Sequence, residues 1–211
     1  VKFKDVYKKD GEPLLSTFFY DRLSYGLLKI IKDWPLITPN QLTILSFVFA
    51  IISASLFYIN NIILAAMFMV GFFVLDCIDG QFARINNKCS YFGEFLDHAY
   101  GTIFIYLIYF SIAYNLESKL LAFGLLFSVV LYNYVVGITP NNNIVKKTRD
   151  NVSKKIRFFK PSYIGFGFDI QSFIMFVGAL SGLFDFSLYL VIFGCLIFSI
   201  VRLILVTSSA R

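Results

Sequence analysis

Three carboxylates, Asp76, Asp79 and Asp97, stand beside Gly80, Ala83, Arg84 and Gly93 at the edges of segments apolar enough to cross a bilayer. Ionisable groups at membrane depth are costly and default to a functional role. Grouped carboxylates repel one another unless a cation lies among them, and hard oxygen ligands suit Mg²⁺, Mn²⁺ or Ca²⁺. Asp76 and Asp79 are three residues apart and so share one helix face. Gly80 and Ala83 continue that face with almost no side chain, and Gly93 and Asp97 are four apart on the next segment. The expected product is a metal cage beside a smooth helical surface, where backbone can approach a bulky flat ligand. A cation held there would attract a diphosphate and spread the charge of a leaving phosphate. The alternative use of such acids is the ion site of an ion-coupled transporter.

The elements that position these groups follow from composition. The chain has 211 residues, 58% hydrophobic and only 15% charged. Soluble domains usually carry about 25% charged residues, so a polytopic membrane protein is expected. A net charge of +6 then marks the cytoplasmic face and not a nucleic-acid partner. A lone His98 excludes a multi-histidine zinc site, and Cys77, Cys89 and Cys195 are read as reduced packing residues. No signal peptide opens the chain; it starts at Val1 and fits a processed, trimmed or excised sequence.

Residues 14–32 place Leu15, Phe18, Phe19, Leu23, Leu27, Ile30 and Ile31 at helical spacing among charges. The segment reads as an amphipathic helix in the interface, or as a soluble-face helix packed on the membrane domain. Thr38-Pro39-Asn40 is a helix-start signal. Six spans are expected over 41–58, 62–84, 93–114, 120–138, 163–184 and 186–206, each near the roughly 20 residues needed to cross. Asn60-Asn61, Glu117-Ser118-Lys119 and Asp185 mark the turns on one side. The fold expected is all-α and integral to the membrane, with an N-terminal segment 1–37 before a six-helix domain 38–211. Nearly all Lys and Arg fall on one side, with Lys119 opposite. That asymmetry places both termini and the acidic cluster in the cytoplasm. A short loop between spans two and three makes those helices antiparallel neighbours, bringing Asp76 and Asp79 against Asp97.

Asp-x-x-Asp-Gly-x-x-Ala-Arg, eight residues, Gly, three residues, Asp resembles the signature of the CDP-alcohol phosphotransferases. Asp76, Asp79, Gly80, Ala83, Arg84, Gly93 and Asp97 match it in type and spacing. Thr38-Pro39-Asn40-Gln41-Leu42-Thr43 is similar to the segment that precedes the family's first span. The resemblance implies transfer of a phospho-alcohol from a CDP-alcohol donor to an acceptor alcohol, with release of CMP. It implies that Asp76, Asp79 and Asp97 bind Mg²⁺ or Mn²⁺, and that Asn40, Thr43, Asp76, Gly80, Ala83, Arg84 and Gly93 line the nucleotide site. Arg84 either pairs with phosphate or caps its helix. A homodimer among membrane lipids is implied by resemblance alone.

One position departs from the pattern. The family has a fourth aspartate four residues after the third, where this chain has Gly101. The resemblance gives that aspartate a metal-binding role and the task of taking the proton from the attacking hydroxyl. Glycine does neither. Catalysis can survive in altered form, with His98 as replacement base beside Asp97, or with Glu94 as a weaker candidate. His98 can equally pack at the helix interface and orient Asp97. The chain can instead be a member that binds nucleotide or lipid without turnover, or carry a change introduced into its natural sequence.

The basic segment with Lys146, Lys147, Arg149 and Arg157 fits a phosphorylated acceptor or an anionic headgroup, and fits a positive-inside anchor as well. Asp169 and Gln171 either contact the acceptor or cap the fifth span. The opening is similar to the membrane half of inositol-phosphate-type members, some of which follow a cytidylyltransferase domain. CDP-diacylglycerol, an archaeal CDP-lipid and a soluble CDP-alcohol all remain candidate donors, and a lipid or a polyol phosphate a candidate acceptor.

Overall fold

The computed structural model describes residues 19–32, 34, 37–138 and 166–209, without the side chains of Glu94, Asp97, His98, Leu205, Val206, Ser208 and Ser209. Its helices are α1 (Asp21–Ile31), α2 (Pro39–Tyr58), α3 (Ile62–Ile85), α4 (Tyr91–Asn115), α5 (Lys119–Ile138), α6 (Phe168–Ser181) and α7 (Phe184–Ser209). Among the described residues there is no strand. Helices α2, α3, α5 and α7 are long and apolar enough to cross a bilayer, and α4 and α6 carry shorter apolar stretches. Outward-facing Ile103, Phe110, Phe123, Phe127, Phe193 and Ile197 are all more than half exposed. So much exposed apolar surface suits lipid and not water. The chain is an all-α integral membrane protein.

Small residues decide how the bundle packs. Buried Ala50 and Ala54 of α2 face buried Ala65 and Ala66 of α3, and the Ser53 hydroxyl donates to the Ala65 carbonyl at 2.9 Å. Small and hydroxyl-bearing residues let membrane helices approach closely. Helix α2 also packs on α4, where Phe47 lies 5.8 Å from the Tyr100 ring and 4.8 Å from the Phe104 ring. The expectation that α3 and α4 pack directly on one another is corrected: they scarcely touch, and α2 is the partner of both. Helix α2 meets α3 through small residues and α4 through the Phe47 ring, and so lies between them. The connection 86–90 permits this, turning through a left-handed Asn87 (φ 51).

The fifth span is shorter than expected. Helix α6 has 14 residues, or about 21 Å. Gly182 adopts φ 72, and the Leu183 amide returns to the Gly178 carbonyl at 2.8 Å, so the helix stops at Ser181 and not at Phe184. Asp185, expected at the turn, instead sits in the first turn of α7, where a negative charge suits the helix dipole. Residues 163–165 lie outside the described set. Phe166, before α6, stacks on Phe198 and lies flat against Gly194 of α7, where a Cβ would strike its ring.

Helix α1 satisfies parts of both readings made for it. Asp21, Ser24 and Leu28 are buried against α3, while Leu23, Leu27 and Ile30 form an exposed apolar stripe. The expected start of this helix, 14–18, lies outside the described residues. At the far end of the bundle the Asn115 side chain donates to the Phe57 and Tyr58 carbonyls at 2.6 and 2.7 Å, closing the end of α2 from α4. Cavities of about 410 and 620 Å³ open at that end, and no residue of the acidic face lines them.

Candidate active site

Helix α2 begins with a capping box that fixes its first turn. Thr38 accepts from the Gln41 amide through its hydroxyl at 3.3 Å, and the Gln41 side chain accepts from the Thr38 amide at 2.9 Å. Pro39 adds a backbone preset for the helix. Asn40 and Thr43 are therefore held on a rigid turn. Thr43 is buried, and its hydroxyl donates to Asp79 Oδ2 at 2.5 Å, with the Pro39 carbonyl at 3.1 Å on its other side. This contact ties the first span to the signature helix at the carboxylate itself.

On α3, Asp79 is only 6% exposed and Asp76 is half-buried. Gly80 and Ala83 complete the face that these acids begin. Arg84 turns back along the helix, with its guanidinium Nη1 3.4 Å from where a Gly80 Cβ would stand. The end of α3 is closed without it. Asn86, Asn87 and Lys88 amides take the Phe82, Arg84 and Ala83 carbonyls, and the Asn86 side chain adds a bond to Phe82. Arg84 thus lies along the Gly80 side of the helix, and loop amides take these carbonyls.

Helix α4 starts at Ser90, whose hydroxyl accepts from the Gly93 amide at 3.0 Å. A Cβ on Gly93 would lie 3.1 Å from that oxygen and 3.8 Å from Asn40 Oδ1. Asn40 on α2 and Gly93 on α4 therefore face each other, beside the Thr43–Asp79 contact. Of the expected nucleotide-site residues, these bonds and approaches link Asn40 with Gly93, Gly80 with Arg84, and Thr43 with the expected metal ligand Asp79. Asp97 lies on α4 one turn beyond Gly93. Its side chain and that of His98 are outside the described residues, as are Lys146, Lys147, Arg149 and Arg157. Among the described residues no group of three metal-ligating side chains comes together. Two of the three expected carboxylates share one face with small neighbours, and their all-oxygen donor set fits Mg²⁺ or Mn²⁺.

Gly101 is buried, yet a Cβ built there meets no described atom within 4 Å. It lies one turn beyond Asp97. No described side chain fills the place that the signature gives to its fourth aspartate.

The polar pair at α6 divides. Gln171 is 2% exposed and fully engaged: it accepts from Tyr109 at 2.5 Å and donates to the Phe166 carbonyl at 2.7 Å and to Cys195 Sγ at 3.4 Å. It joins α4, α6 and α7 and has no donor left for an acceptor substrate. Asp169 is buried in the first turn of α6. Cys195 is a packing residue as expected, but Cys89 is exposed in the 86–90 connection, a correction explained by its place outside any helix.

Sequence reasoning missed a set of polar contacts behind the acidic face. Gln81 reaches Asp21 and Ser24 on α1, and Tyr20 reaches Ser172 on α6 at 3.0 Å. Ser172 gives its own proton to the Asp169 carbonyl, so Tyr20 is the donor. Burial pushes the Tyr20 phenol up to about 12, which keeps that proton in place. The only signal in the sequence was polar residues interrupting apolar faces.

A family model for CDP-alcohol phosphatidyltransferases matches residues 36–201, which takes in α2 to α6 and most of α7. An archaetidylinositol phosphate synthase of Pyrococcus horikoshii is 42% identical over 77 residues, 36% of this chain and 41% of the relative. The chain thus matches about two-fifths of that relative's length. With the signature residues brought to one end of the bundle and the match covering most of its length, this chain belongs to the CDP-alcohol phosphatidyltransferase family.

Proposed function

We propose that this chain transfers the phosphate-linked lipid of a CDP-lipid to a hydroxyl of a polyol phosphate, releasing CMP at the cytoplasmic membrane face. The acceptor oxygen bonds to the lipid-bearing phosphorus as that phosphorus parts from the CMP oxygen, and the hydroxyl proton passes to a base. The observation that carries the reading is the Thr43–Asp79 contact, which sets the signature helix against the turn bearing Asn40. Asp76, Asp79 and Asp97 would hold the divalent cation, which when bound neutralises the diphosphate and the departing CMP. Gly80, Ala83 and Gly93 leave room for cytidine to lie against α3 and α4. Asn40 orients that ligand, and Arg84 faces its phosphates. The acceptor class is suggested by the Pyrococcus relative, whose name specifies an inositol phosphate headgroup. Lys146, Lys147, Arg149 and Arg157 are proposed to meet the acceptor phosphate, and two copies of the chain to associate in the membrane.

Glycine at position 101, which supplies no carboxylate, favours a second reading, in which the chain binds CDP-alcohol without turnover. One assay separates them. Purified chain is supplied with Mg²⁺, a CDP-lipid of diacylglycerol or archaeal type, and inositol phosphate, inositol or glycerol phosphate. CMP release that requires both the CDP-lipid and a phosphorylated acceptor supports transfer. CDP-lipid binding without CMP release supports the second reading. Absence of both removes the proposal.

A further inference from the structure

Gln81 sits inside the signature, one residue after Gly80, yet it faces away from the acids. Five residues after Asp76 is about 140° around the helix. The side chain is 2% exposed. Its Nε2 lies 2.7 Å from Ser24 Oγ, 3.3 Å from Asp21 Oδ1 and 3.4 Å from the Asp21 carbonyl, all on α1. Ser24 in turn donates to the Asp21 carbonyl at 3.0 Å, so a single amide grips the first turn of α1. Around this grip, Leu28 of α1 packs with Leu42 of α2 and with Val74, Ile78 and Phe82 of α3. Tyr20 extends the attachment, packing its ring 5.1 Å from Phe73 and bonding Ser172 on α6.

A helix in lipid gains little from turning one apolar face or another toward its neighbours, because lipid and side chains are equally apolar. Beside the close packing of small residues, directional polar contacts constrain its rotation. Polar contacts at the signature turn of α3 lie on opposite sides of the helix, Asp79 to Thr43 on one and Gln81 to α1 on the other. We propose that α1, through Gln81, fixes the rotation of α3 and so holds Asp76 and Asp79 in the geometry that binds a divalent cation and a nucleoside diphosphate. Gln81 is a positioning residue, and α1 is part of the site's support. The inference rests on the proposed reading of the acidic face.

The test uses the purified full chain in lipid nanodiscs, with Mn²⁺ and CDP as probes. CDP binding is titrated against Mn²⁺ for the natural chain, Gln81→Leu and Ser24→Ala, and thermal unfolding is recorded for each. Gln81→Leu is expected to raise the Mn²⁺ concentration for half-maximal CDP binding by roughly ten-fold. Ser24→Ala, which removes one of the acceptors, is expected to raise it less. A purely structural role would lower the unfolding temperature and the bound fraction and leave the Mn²⁺ midpoint where it was. An unchanged midpoint in both variants overturns the inference while the site reading stands. Should Gln81→Leu fail to fold, Ser24→Ala alone decides. If the natural chain binds no CDP with Mn²⁺, the site reading itself falls, and this inference with it.

Discussion

Asp79→Ala lowers CMP release by about 10³-fold or more, while the chain folds and inserts normally. Asp79 is the most enclosed of the signature groups described, at 6% exposure, and its Oδ2 is held by the Thr43 hydroxyl at 2.5 Å. Its charge is therefore preorganised for whatever the site binds. Loss of one preorganised electrostatic contact at a reacting centre typically costs 10²–10³ in rate, and loss of a metal ligand removes more. The Thr43 hydroxyl keeps the Pro39 carbonyl at 3.1 Å as acceptor and is not left unpaired by the substitution. Asp79→Asn keeps the shape and a partner for Thr43 but removes the charge, so it should be nearly as inactive as Asp79→Ala. Steady-state CMP release, with the amount of folded protein measured in parallel, checks both variants. An Asp79→Asn chain close to the natural rate would show that the side chain acts through its shape.

Gly101→Asp works in the opposite direction, and its expected effect is nearly as large. A Cβ at Gly101 meets no described atom within 4 Å, so the first side-chain carbon is accommodated there. Glycine in a helix costs roughly 1 kcal/mol relative to alanine, so substitution also firms α4. A general base contributes typically 10²–10⁴-fold. Gly101→Asp should accordingly raise CMP release by about 10²-fold or more over the natural chain. Gly101→Ala is the control: it supplies the helix effect without the carboxylate and should leave the rate almost unchanged. If Gly101→Asp is no faster than Gly101→Ala, the proton goes elsewhere, and His98→Ala becomes the informative variant.

Much of this architecture was legible because a membrane imposes simple rules. Apolar runs of the right length marked the helices, and Thr38-Pro39 marked the start of α2. The signature residues were legible because their spacing restricts them to one end of two helices. What escaped depended on tertiary partners. The end of α6 turned on one left-handed glycine, Gly182, inside a continuous apolar run. The placing of α2 between α3 and α4 rested on Ala50, Ala54 and Phe47, which no local pattern distinguishes from lipid-facing residues. Gln81 and Gln171 looked alike as polar residues in apolar helices. Only their contacts reveal that one braces the signature turn and the other crosslinks α4, α6 and α7.

In the proposed site Asp76, Asp79 and Asp97 together hold one divalent cation against a nucleoside diphosphate. Electron paramagnetic resonance of Mn²⁺ with the purified chain and CDP tests it most directly. Free Mn²⁺ signal should be lost in proportion to the chain when CDP is present, and should return in Asp76→Asn, Asp79→Asn and Asp97→Asn alike. Equal Mn²⁺ uptake by the natural chain and the Asp97→Asn variant would show that Asp97 is no ligand and that the three carboxylates do not share one cation.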